Sequence, residues 1–264
     1  MKIVTWNFGF GSPGSPSLNN KDKVVEALCH ASRSGCDVVL AQEICALDNL
    51  PSVKELYPYF QYATCPKDRP EGGHWGGKTG IDAANEADAK KWGTAVLSKD
   101  PLVSVPLAIN SAYPGTMLLV KDEKRGLGLV SIYGKRVAYE GYVENLHRCI
   151  SDLTAALGGA EFTSGFILAG DMNIGDLRNE KISARSIIVI NRLYDLGFRN
   201  CCDENSPYAC TYHGGTREDR ESRVDWVFAS KKLRSRLHGY AWIDASAGTK
   251  ALSDHYPIIA ELNI

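Results

Sequence analysis

Short apolar runs rich in β-branched and aromatic residues recur from one end of this chain to the other and leave room for few helices. They cover residues 2–6, 37–41, 60–64, 94–98, 116–120, 128–133, 166–169, 210–213, 224–229, 240–243 and 258–262. Most are bounded by Gly, Pro, Asp or Ser, which predicts strands. Helical spacing is confined to three stretches. Asn20 can cap a helix over 21–34 that Gly35 stops, with Val24, Leu28 and Ala31 as its apolar stripe. Val143, Leu146, Ile150, Leu153 and Leu157 predict a second helix over 140–157, and a third covers 184–196. Many strands with a few interspersed helices bury their apolar faces as packed sheets covered by helices. No linker-like stretch divides the 264 residues, so the expectation is a single domain over 1–264.

Composition sets limits on partners. The net charge of −1 excludes bulk charge as the driver of binding to nucleic acid or membrane, so a polyanion site must be a local patch. No apolar stretch is long enough for a membrane span. The opening segment, Met1-Lys2-Ile3-Val4-Thr5-Trp6-Asn7, enters a strand-like run without the pattern of a signal peptide. The eight cysteines lack framework spacing and contain no CxxC pair. Reduced, mostly buried thiols in a cytoplasmic protein are therefore expected, and a structural zinc site is not.

Several apolar runs are bordered at one end by short polar islands: Trp6-Asn7, Gln42-Glu43, Gly170-Asp171-Met172-Asn173, Arg223-Val224-Asp225 and, in front of the last run, Ser253-Asp254-His255. A lone Glu43 is most often a solvated turn residue, but at the end of a buried strand it can offer oxygen to a hard cation. Strand alternation would put Asp171 and Asn173 on one face, whereas the plainer reading is an Asx turn. Asp225 lies within an apolar strand, where a carboxylate requires a partner. His255 is the obvious one, since an Asp–His hydrogen bond fixes the imidazole tautomer.

In this order, and together with Gly93-Thr94-Ala95-Val96-Leu97-Ser98 and Ser131-Ile132-Tyr133, these motifs resemble the endonuclease/exonuclease/phosphatase superfamily, of the exonuclease III and DNase I kind, from end to end. The resemblance implies an α+β fold of four layers, α-β-β-α, with two mixed sheets flanked by helices. It implies divalent-metal hydrolysis of a phosphoester, with Mg²⁺ or Mn²⁺ held by Glu43, Asn7 and Asp254. Asp171 would orient or deprotonate the attacking water, and Asn173 would hold the nucleophile and a phosphate oxygen. His255, braced by Asp225, would stabilise charge on the phosphate, and Tyr133 would contact the phosphate or leaving group. Such roles match what phosphodiester cleavage demands, namely neutralised charge, an oriented water and a stabilised leaving oxygen. Gly9 stands where repair-type relatives often carry an acid. Ser253-Asp254-His255-Tyr256-Pro257 occurs in sphingomyelinase-like members.

Substrate contacts are expected from Arg136, His213 and Arg223, and from His74 and Trp75 in a Gly-, Lys- and Asp-rich loop over 66–91. The cationic residues between 216 and 238 suggest a phosphate contact zone beside the site, though acidic neighbours dilute it and a solvated surface reads about as well. The leading expectation is a nuclease acting on DNA ahead of RNA. Its rivals are a phosphoesterase for small molecules or lipids, and an inactive binding module on the same scaffold.

Overall fold

The computed structural model describes residues 1–10, 15–18, 20–46, 51–64, 92–107, 112, 114–135, 141–175, 184–202, 210–214 and 222–264. His74, Trp75 and Arg136 lie outside these residues, as does all of the 66–91 stretch.

Two six-stranded sheets carry the fold. The first is built from β1 (Lys2–Asn7), β2 (Val38–Cys45), β3 (Tyr59–Thr64), β4 (Trp92–Ser98), β11 (Trp242–Ile243) and β12 (Ile258–Glu261), in the order β11-β12-β1-β2-β4-β3. The second holds β5 (Leu102–Ser104), β6 (Met117–Asp122), β7 (Leu127–Ile132), β8 (Gly165–Asp171), β9 (Phe198–Asn200) and β10 (Asp225–Ser230), in the order β5-β6-β7-β8-β10-β9. Both sheets mix parallel and antiparallel pairs: β1 runs parallel to β2, and β7 parallel to β8.

Side-chain alternation explains the layers. Ile3, Val38, Leu40, Leu129, Ile167, Ala169, Val227 and Ala260 form an apolar cluster shared by both sheets. Their strand neighbours Val4, Trp6, Val39 and Ala41 instead pack on Val24, Ala27, Leu28 and Ala31 of α1 (Lys21–Arg33). Val130, Ile132, Leu168, Trp226 and Phe228 pack likewise on α3 (Gly141–Thr154) and α4 (Ala184–Asp195). The order helix, sheet, sheet, helix is the four-layer architecture expected.

The N-cap of α1 is also as expected, because the Asn20 side chain accepts from the backbone N–H groups of Asp22 and Lys23. Three short helices escaped the sequence: α2 (Pro51–Leu56), α5 (Lys231–Arg234) and α6 (Ala247–Lys250). One strand expectation is corrected. Residues 210–213 form no strand but a clamp of single bridges, in which Tyr212 pairs with both Ser222 and His255. The seven cysteines among the described residues are free thiols.

Candidate active site

The two-residue period that fills the core also builds the site. On β1, Ile3 and Thr5 face the second sheet, and Asn7 is the next residue of that parity. On β8, Ile167 and Ala169 face inward and Asp171 follows them. On β10, Val227 faces inward and Asp225 precedes it by two. Asp171 and Asp225 are direct partners across the β8–β10 ladder. Asn7, Asp171 and Asp225 thus meet at one end of the sandwich, each about 1% exposed.

Glu43 arrives differently. It does not follow the end of a strand, because β2 continues through it to Cys45. A register shift between Ala41 and Ile44 marks a bulge, and Glu43 sits there at φ 45°. The bulge re-aims its side chain, whose Oε1 accepts from the Tyr133 hydroxyl at 2.5 Å, across the gap between the sheets. Behind this contact the sheets are pinned together by Gln42 Nε2 donating to Ser131 Oγ (2.9 Å) and Ser131 Oγ donating to Ala41 O (2.9 Å).

Asp171 is the hub. Its Oδ2 accepts from Asn7 Nδ2 and Asn173 Nδ2, each at 2.9 Å, and its Oδ1 accepts from Asn173 N at 2.8 Å. The last bond is an Asx turn, and Asn173 has a left-handed backbone at φ 52°. Asp171 and Asn173 do come together, but through a turn rather than by alternation along a strand. Burial raises the Asp171 pKa, and the neighbouring Asp225 and Glu43 charges raise it further, against the opposing pull of His255.

His255 Nδ1 lies 2.8 Å from Asp225 Oδ2, as expected. Burial alone would lower the imidazole pKa, but the Asp225 charge and hydrogen bond, with Asp171 and Asp254, outweigh it and raise the net value. Backbone bonds and one ring contact hold the residue. Trp6 Nε1 donates to His255 O (2.8 Å), Ser253 Oγ accepts from His255 N (3.1 Å), and Tyr212 packs on the ring at 5.0 Å. Thr211 Oγ1 accepts from the N–H groups of Val224 and Asp225 and so fixes the start of β10. Thr211 carries no apolar periodicity or charge that would have singled it out, and Ser253, though part of a polar island, is given no role by the sequence.

Asp254 lies against two glycines. A Cβ on Gly9 would stand 2.6 Å from Asp254 Oδ1, and one on Gly214 would stand 2.6 Å from Asp254 Cβ. Gly9 also has φ +61°, and its N–H donates to Asn7 Oδ1 at 2.8 Å. An acid in its place would therefore be strained and would collide with the Asp254 carboxylate.

The remaining expectations divide. His213 borders the site: its N–H donates to Asp254 O (2.9 Å), its ring stacks on Tyr256, and its buried Nε2 has no partner among the described residues. Arg223 does not reach the cluster. It is 4% exposed, lies over the Trp226 ring, and donates to Asn200 Oδ1. The cationic stretch expected to flank the site is split. Residues 215–221 lie outside the described ones, and Lys231–Arg234 follow the far end of β10. Trp92, which the sequence did not mark, packs edge-on to Tyr133 with centroids 5.4 Å apart.

Gly170 lets β8 approach β7 beside this hub. A Cβ there would collide with the backbone carbonyl of Ile132 and would stand 3.1 Å from Gln42 Nε2. Gly170→Ala is expected to cost about 1–3 kcal/mol and to displace Asp171. Urea denaturation reads this out, and an unchanged midpoint would contradict the packing.

The family model of the endonuclease/exonuclease/phosphatase family matches residues 4–255. The chain belongs to this family. It is a family of phosphoesterases, and the match spans every residue of the cluster, from Asn7 to His255. The solved structures it resembles include an AP endonuclease from Archaeoglobus fulgidus, at 16% identity and a TM-score of 0.69, with both chains covered 100%. A 3'-5' exonuclease, NExo, from Neisseria meningitidis gives the same identity, TM-score and coverage. The endonuclease domain of TRAS1, a telomere-specific non-LTR retrotransposon, follows at 16% identity and a TM-score of 0.63, covering 100% of this chain and 99% of that one. At such identities these structures speak for the fold, which they share with this family member. A search of curated protein sequences finds no match.

Proposed function

We propose that this family member hydrolyses phosphodiester bonds in nucleic acid, DNA ahead of RNA, with Mg²⁺ or Mn²⁺ as cofactor. The observation that carries the reading is the Asp171 hub, where one carboxylate is held by three N–H donors beside a hydrogen-bonded Asp225–His255 pair. Asp171 takes the proton of the attacking water. Asn173 orients that water and one phosphate oxygen. The His255 imidazole, kept in one orientation by Asp225, donates to the charge that builds on the phosphate. Tyr133 lies at the leaving-group side, where its hydroxyl can turn from Glu43 to the substrate.

The donor set fits a hard divalent cation. Glu43 and Asp254 offer carboxylate oxygens and Asn7 an amide oxygen, all buried, and Asp171 and Asp225 add two more buried carboxylates nearby. When bound, such an ion neutralises phosphate charge and acidifies water. Asp171, Asp225 and His255 also present ligand atoms within 4.8 Å of one another. We assign them to proton handling, because the Asp225–His255 bond already takes up His255 Nδ1 and Asp225 Oδ2.

DNA is placed first because the neighbours' own descriptions name an AP endonuclease and a DNA hairpin product. Among the described residues no helix is long and apolar enough to cross a membrane. The free thiols suit a reducing compartment, and the cytoplasm is the location this reading assigns.

The test is cleavage of end-labelled single- and double-stranded DNA and RNA, beside a panel of nucleotides and phospholipids, with and without EDTA. Metal-dependent product ladders from DNA are expected. Turnover confined to a small or lipid phosphoester would overturn the substrate assignment, and activity in excess EDTA the metal assignment. Glu43→Gln should raise the Mg²⁺ concentration needed for half-maximal activity roughly tenfold or more. It should also shrink the rise in melting temperature that Mg²⁺ or Mn²⁺ produces.

A further inference from the structure

One cationic stretch has no part in the site. β10 begins at Asp225 and ends at Ser230. At about 3.3 Å per residue this carries the chain roughly 17 Å from the hub, to the opposite end of the sheets. There α5 exposes Lys231, Lys232 and Arg234 around the buried Leu233. Arg236 and His238 follow, both exposed. Their backbone is held in place, since Asn263 N donates to Arg236 O (2.7 Å) and His238 N to Glu261 O (2.8 Å). The chain then forms the outer strand β11, leaving Tyr240 63% and Trp242 41% exposed. The Lys2 ammonium lies 5.8 Å from the centre of the Trp242 ring.

Among the described residues, Lys231, Lys232, Arg234 and Arg236 make no ion pair. On a chain of net charge −1 this is a local concentration of positive charge left unpaired among the described residues. Cations alone would be an ordinary solvated edge. Here two large exposed aromatic residues, Tyr240 and Trp242, follow Arg236 within six residues, and the intervening backbone is fixed by hydrogen bonds. Cations that track a phosphate backbone beside rings that accept bases are the chemistry of single-strand binding.

We propose that this end of the molecule is a second, non-catalytic surface that binds single-stranded nucleic acid. Backbone phosphates lie on Lys231, Lys232, Arg234 and Arg236, and unpaired bases stack on Tyr240 and Trp242. A duplex would satisfy the cations but hide its base faces from the rings. An acidic protein or an anionic membrane would likewise use the cations and leave the aromatic pair unexplained. The surface extends the nuclease reading by adding a hold on the polymer away from the site, but its binding does not require hydrolysis.

The test is fluorescence anisotropy of a labelled single-stranded oligonucleotide with the full chain in EDTA, titrated at several salt concentrations. The quadruple variant K231Q/K232Q/R234Q/R236Q should bind at least tenfold more weakly and lower the slope of log affinity against log salt by about 3. Y240A/W242A should bind roughly tenfold more weakly with the slope kept. Both should retain the wild-type melting behaviour and hydrolysis of a substrate too short to span from hub to patch. Unchanged affinity and slope in the folded quadruple variant would overturn the proposal. So would equal binding of duplex, or tighter binding of phosphatidylserine vesicles or polyglutamate than of the oligonucleotide. Patch-dependent binding with no hydrolysis of any nucleic acid would sink the nuclease reading and leave this surface standing.

Discussion

Replacing Asp171 with alanine should lower kcat for phosphodiester hydrolysis by about 10³- to 10⁴-fold while leaving the protein folded. The size follows from what converges on this carboxylate. Asn7 Nδ2, Asn173 Nδ2 and Asn173 N all donate to it, so its position is over-determined. Burial, followed by the Asp225 and Glu43 charges, raises its proton affinity. A carboxylate so placed is a better proton acceptor near neutral pH than an exposed aspartate. Alanine removes the acceptor and frees two amides to turn elsewhere. Asp171→Asn should fare little better, because its amide would set an N–H group against the N–H donors of Asn7 and Asn173. The fold should survive, since Asp171 ends β8 and the apolar inward positions behind it, Ile167 and Ala169, are untouched. Steady-state kinetics with circular dichroism decides this. A loss below tenfold in a folded variant would remove Asp171 from the proton-transfer role.

Much of this arrangement was legible in the sequence because the strand period is rigid. Once 2–6, 166–169 and 224–229 are read as buried strands, Asn7, Asp171 and Asp225 fall at ends that a packed pair of sheets can bring together. The Asp225–His255 pair was legible for a different reason, as a carboxylate inside an apolar strand needs a partner. What escaped was local departure from the period. No pattern announces the bulge that turns Glu43 toward Tyr133, because periodicity carries no signal for one inserted residue. Asn173, by contrast, reaches Asp171 through the Asx turn that is the plainer of the two sequence readings, and only its left-handed backbone goes unannounced. β5 and β9 have three residues each and α5 and α6 four, too few to display a period. Arg223 shows the limit of reading charge by proximity in sequence. It stands two residues from Asp225, yet its guanidinium lies over the Trp226 ring and on Asn200. The cations after it are carried off by β10, so a run that looks continuous in sequence is divided by the direction of one strand.

His255 gives the second large effect, and it reads on stability as well as rate. Asp225 Oδ1 has no hydrogen-bond partner among the described residues, and Oδ2 is bonded to His255 Nδ1. His255→Ala therefore leaves a carboxylate about 1% exposed with neither oxygen paired, beside Asp171. Removing one member of a buried pair costs about 3–5 kcal/mol, far more than the pair itself contributes. The rate should fall about 10²- to 10³-fold with the loss of a donor to the phosphate. Removing both partners separates the two effects. Asp225→Ala/His255→Ala should be as slow as His255→Ala but more stable than the sum of the single losses by roughly 1–3 kcal/mol. Urea denaturation of the four proteins in EDTA measures that coupling. Additive losses would mean that the two side chains do not act on one another, and the brace assigned to Asp225 would fail with them. Strong coupling in stability together with full activity in His255→Ala would instead confine the pair to a structural role and leave the phosphate donor to be sought at His213, whose buried Nε2 has no partner among the described residues.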